Sequence, residues 1–106
     1  MSDRDADCAR LAAAMGWQFF PEIAKLQDPL FIVEERDTIR VPNASAPLGD
    51  RMRFVGELAE ALGCRYPRVT QGPHGWLVNL SDDTGGEAYD LAHAAVRAAL
   101  VAKVAT

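Results

Sequence analysis

The stretch Gly72-Pro73-His74-Gly75-Trp76 places an imidazole and an indole beside a pair of glycines. A histidine exchanges a proton near neutral pH, and a tryptophan offers a flat face for a planar ligand. Arg65 and Arg68 lie a few residues upstream, and a guanidinium pairs with carboxylate or phosphate. Arg65, Arg68, His74 and Trp76 are therefore the predicted ligand-binding set, and a small anion is the ligand they suit. The simpler reading is structural. Gly72 and Gly75 then form a hairpin turn, His74 is a solvated tip, and period-two alternation sends Trp76 to the core.

Other groups of polar residues read more plainly. Tyr89, His93 and Arg97 recur every four residues, which predicts the wet side of an amphipathic helix. The stretch Ser81-Asp82-Asp83-Thr84-Gly85-Gly86-Glu87 lacks the spacing of a calcium loop or a P-loop. Thr84 at the N-cap with Glu87 three residues on predicts a capping box instead. Glu34, Glu35 and Asp37 form an acidic turn, but adjacent carboxylates on an extended chain point apart, which weakens any acid–base role. Cys8 and Cys64 show neither CxxC nor Cys/His metal spacing and are expected as reduced thiols. Two histidines assemble no nucleophilic triad and no metal site. The expectation is a protein that is not an enzyme and uses no cofactor and no metal.

These side chains must be positioned by about a hundred residues, enough for one domain over 1–106 with a modest core. Of the 106 residues, 49% are hydrophobic and 25% charged, which fits a globular chain and argues against disorder. The net charge is −4, whereas proteins that bind nucleic-acid polymers concentrate Lys and Arg on one face. Arg51, Arg53, Arg65 and Arg68 form only a loose cluster. No apolar run is long enough to span a bilayer, and the opening MSDRDADCAR is polar and acidic rather than a signal peptide. A cytoplasmic protein is expected.

Cys8, Leu11, Ala12 and Met15 make one apolar face of a first helix, with Ser2 as N-cap and Gly16 as its stop. Pro21 can open a short helical turn through Leu26. Residues 30–33 and 38–41 read as strands. A second helix runs from Pro47 or Asp50 to Leu62, with Met52, Val55, Leu58, Ala59 and Leu62 as its stripe and Gly63 as its stop. Gly56 inside it suggests close approach of another backbone. Residues 66–71 and 76–81 form a hairpin. A final helix begins at Thr84, with Leu91, Ala94, Ala95, Ala98, Val101 and Ala102 on its apolar side. The expected fold is α+β, in the order α-β-β-α-β-β-α, with a small, mainly antiparallel four-stranded sheet and helices on both faces.

Met15-Gly16-Trp17, the segment from Pro42 to Asp50, Gly75-Trp76-Leu77-Val78, Thr84 and the run from Ala94 to Leu100 together resemble the phage ABA sandwich domain family. The resemblance spans nearly the whole chain. It implies an α/β/α sandwich from a bacteriophage or prophage, in a family of unknown function. Small phage proteins often act by binding, including sequestration of host defence components. The expectation is a homo-oligomer in the host cytoplasm that holds a small anionic host signal of nucleotide type. The alternative is a module that binds a host or virion protein. A small hydrolase using His74 is a third reading.

Overall fold

Acidic residues followed by small apolar ones build the first element. α1 (Asp3–Met15) carries Asp3 and Asp5 in its first turn, at the positive end of the helix dipole. Cys8, Leu11 and Ala12 are buried on one face, as their spacing predicts. Gly16 ends the helix at a φ of 76°, and the Trp17 N–H reaches back 2.9 Å to the Ala12 carbonyl. That is the six-to-one bond of a glycine-terminated helix. The computed structural model describes residues 3–21, 28–33, 37–64, 66–81 and 84–104.

The chain next forms β1 (Gln18–Phe20), β2 (Leu30–Val33) and β3 (Asp37–Arg40). They pair antiparallel in that order, with Phe19 opposite Phe31 and Phe31 opposite Ile39. The strand at Gln18–Phe20 was not expected: it is three residues long and the predicted helical turn starts only after it, at Pro21. Aromatic pairing holds it: Phe19 and Trp17 both pack on the buried Phe31, at ring-centroid distances of 5.2 and 5.7 Å. The residues from 22 through 26 of the predicted turn, and Ser2, Glu34 and Glu35, lie outside the described residues.

α2 (Leu48–Ala61) begins after Pro47 and ends at Gly63, whose φ is 75°. Its buried face is Phe54, Val55, Leu58 and Ala59. The predicted stripe had Met52 in place of Phe54, but Met52 is 42% exposed. The surface that α2 covers lies one position further round the helix. Gly56 faces open space, with nothing within 4 Å of where a Cβ would sit, so no close backbone approach explains it.

β4 (Arg68–Gly72), β5 (Gly75–Ser81) and β6 (Thr84–Ala88) form a second antiparallel sheet in that order. α3 (Leu91–Val104) follows. The α+β class and the alternation of helices with strand blocks are as predicted. The six strands, however, divide between two three-stranded sheets rather than one sheet of four. The predicted capping box is the second change. Thr84–Glu87 is strand, and Asp90 caps α3 instead: its Oδ1 accepts the Ala92 N–H at 3.2 Å. The reason lies in Gly86. A Cβ there would stand 2.2 Å from the Ala98 nitrogen and 2.5 Å from the Ala94 oxygen. β6 thus lies backbone to backbone against α3.

α3 is the centre of the molecule. Leu91, Ala92, Ala94, Ala95, Val96, Ala98 and Ala99 are fully buried. It packs on β5 and β6, and also on α1 and α2. Neighbours on most of its sides explain its alanines and leave only a narrow open edge at Arg97 and Val101. Val101, predicted in the core, is 42% exposed near the end of the helix.

Candidate functional site

Gly72 pairs with Gly75, so the β4–β5 turn is only Pro73-His74. Gly75 has a φ of 143°, and a Cβ there would lie 2.5 Å from the Ala88 oxygen. The end of β6 therefore braces the tip of the hairpin. Trp76 pairs with Ala88 across the same two strands. Between these segments and α3 runs a groove of about 520 Å³, lined by His74, Trp76, Leu77, Glu87, Tyr89 and Arg97 among others. Trp76 is partly buried against the core, as alternation predicts, and still lines the groove. The indole is thus part core and part groove wall.

The predicted site is thus divided. His74 and Trp76 come together in the groove. Arg68 pairs with Asn79 at the far end of β4 and does not line it. Arg65 lies outside the described residues. Arg51 donates from Nε to the Ala46 carbonyl at 3.0 Å, and neither it nor Arg53 lines the groove. The cation at the groove comes from α3. Arg97 Nη1 donates to the Glu87 carbonyl at 2.9 Å, and Nε donates to Asp7 Oδ2 at 3.3 Å.

Asp7 is the residue that sequence reasoning missed. It is 7% exposed, and its carboxylate also lies 2.9 Å from Arg10 Nη2 and 2.7 Å from His93 Nε2. An ionised carboxylate only accepts, so Nε2 of His93 carries the hydrogen. Burial on its own raises the Asp7 pKa. The His93 and Arg97 hydrogen bonds and the Arg10 charge outweigh it and hold the group below its ordinary value. The predicted Tyr89–His93–Arg97 solvent line is broken up by this carboxylate. Tyr89 precedes α3 and is 85% exposed, His93 turns in toward α1, and Arg97 bridges Asp7 to the groove. The sequence did hold a signal: Asp7 sits beside Cys8 and four residues before Leu11, on the buried edge of α1. A carboxylate there needs partners.

Burial pushes the Cys8 thiol up to about 12, so it is no thiolate nucleophile at neutral pH. Cys64 is also free, and its thiol donates to the Leu80 carbonyl. Among the described residues, no hydroxyl or thiol is bonded to the second ring nitrogen of His93. Among them too, no three His, Cys, Asp or Glu residues are grouped to hold a metal ion. A second depression, of about 400 Å³, lies between β3 and α2 and mixes Arg40 and Arg53 with Asp50 and Glu57. It lacks the exposed aromatic side chains of the hairpin groove. No helix of the described residues is long and apolar enough to cross a membrane. No protein-family model, curated protein or solved structure matches the chain.

Proposed function

We propose that the protein is a non-catalytic binding module that holds a small, planar anion of nucleotide type beside the β4–β5 turn. The observation that carries this reading is the joint presence of Trp76, His74, Tyr89 and the Arg97 guanidinium in one groove. Aromatic faces stack on any base, and a guanidinium pairs with a phosphate. The motifs shared with the phage ABA sandwich family support a phage or prophage setting, in which such a protein sequesters a host signal. Ala13 and Ala14, exposed side by side on α1, leave room for a second copy to approach closely, which supports a homo-oligomer.

The test is direct. The purified protein is incubated with mono-, di- and cyclic nucleotides, washed, denatured, and the released ligand weighed. Intact nucleotide at stoichiometric yield supports sequestration. Chemically altered nucleotide would favour the hydrolase reading, and no thermal shift with any anionic nucleotide would end this one. Tyr89 is 85% exposed, so Tyr89→Ala removes a stacking face without disturbing the core. The expected loss is about tenfold in affinity, since stacking contributes roughly 1–3 kcal/mol per base.

A second reading, a module that binds a host or virion protein, is favoured by two tyrosines, Tyr66 and Tyr89, that are each 85% exposed. Such rings anchor protein interfaces. It predicts partner capture that Tyr66→Ala weakens, with nucleotides having no effect.

A further inference from the structure

The groove holds one arginine whose orientation is fixed from outside it. A surface arginine ordinarily samples many rotamers, and ordering it on a ligand carries an entropic cost. Arg97 differs. Its Nε is held 3.3 Å from Asp7 Oδ2 and its Nη1 lies 2.9 Å from the Glu87 carbonyl. A guanidinium has five N–H donors, so these two bonds leave the others for a ligand, and the side chain stays 44% exposed. Asp7 cannot drift, because it is buried in α1 and is also bonded by His93 and Arg10. Every charged or titratable group bonded to the carboxylate thus favours its ionised form.

Asp7 also shares the Arg97 charge at 3.3 Å, which offsets part of the field that a second negative charge on a ligand would meet.

We infer that Asp7 is a positioning residue that locks Arg97 as the anion-binding fork of the groove, and that the groove selects an aromatic monoanion over a dianion. This rests on the binding reading given above. Asp7 touches no ligand itself. It acts through Arg97, from a helix at the opposite end of the chain.

Two measurements separate the positioning role from the binding reading. The first needs no ligand. The Arg97 Nε–H resonance is expected to exchange slowly with solvent in the wild type and to be lost in Asp7→Asn. An unchanged resonance in Asp7→Asn overturns the positioning role. The second is calorimetric titration with 3′,5′-cyclic AMP, which carries one charge, AMP, which carries two at pH 7.5, and adenosine, which carries none. The wild type is expected to bind cyclic AMP about tenfold more tightly than either of the others. Asp7→Asn is expected to remove that advantage while leaving adenosine unchanged. A merely structural role would weaken cyclic AMP and adenosine together and overturns the inference. Tighter binding of AMP than of cyclic AMP overturns the charge selection. Arg97→Lys keeps the charge but cannot span both Asp7 and the Glu87 carbonyl, so it should reproduce the Asp7→Asn result even if that variant folds poorly. A protected resonance with no binding of the three probes would refute the groove reading, and the ligand class with it, while the Asp7–Arg97 lock stands.

Discussion

At the scale of the single residue, Asp7 sets the clearest expectations. Its carboxylate accepts from His93 and Arg97 and pairs with Arg10, so Asp7→Asn is expected to cost about 2 kcal/mol, the range for hydrogen bonds to charged groups. The pH dependence follows from the depressed pKa. A lowered folded-state value stabilises the protein above the ordinary carboxyl value of 3.8, and that contribution is lost as pH falls through the lower folded value. Urea unfolding of both proteins should show a gap that is steady from pH 7 to pH 5 and narrows toward pH 2. Gly56 gives the opposite sign. It is helical, with open space where a side chain would stand, so Gly56→Ala should raise stability by about 1 kcal/mol. The same denaturation experiment checks it. The sequence disclosed Gly16 and Gly63 as helix stops because left-handed φ is a local demand. It did not disclose His93 and Arg97 as partners of Asp7, since they lie 86 and 90 residues away.

At the scale of the element, the segment Thr84–Ala88 is decisive. It satisfies a local rule for starting a helix and still forms a strand. Pairing with β5 supplies backbone hydrogen bonds along the segment, and α3 lies so close that only glycine fits at position 86. Gly86→Ala would push a methyl group into the backbone of α3. The expected loss is about 3 kcal/mol or more, or failure to fold, read as the soluble yield and unfolding midpoint. Two adjacent glycines within a supposed first turn were the legible warning, since close approach of backbones is what glycine permits. The β4–β5 hairpin was read correctly because alternation and its turn glycines lie within a dozen residues of each other. Strand β1 was hidden because its support, Phe31, depends on tertiary packing.

For the whole molecule, the α+β class followed from hydrophobic periodicity, while the division into two sheets did not. Patterning shows which residues seek cover and leaves open which strands share a ladder. The site was half legible for the same reason. His74 and Trp76 are neighbours in the chain and meet in the groove. Arg97 arrives there only because α3 runs between the second sheet and α1. Hydrogen exchange should locate the slowest amides in α3, where Ala94, Ala95, Ala98 and Ala99 have no solvent exposure. Faster exchange there than in α2 would contradict its central place. That helix follows every other described element, so during synthesis the first two helices and both sheets are made before their common filler. Nascent chains stalled before Leu91 should therefore remain sticky and recruit chaperones, and release of the last segment should trigger their compaction in a single step.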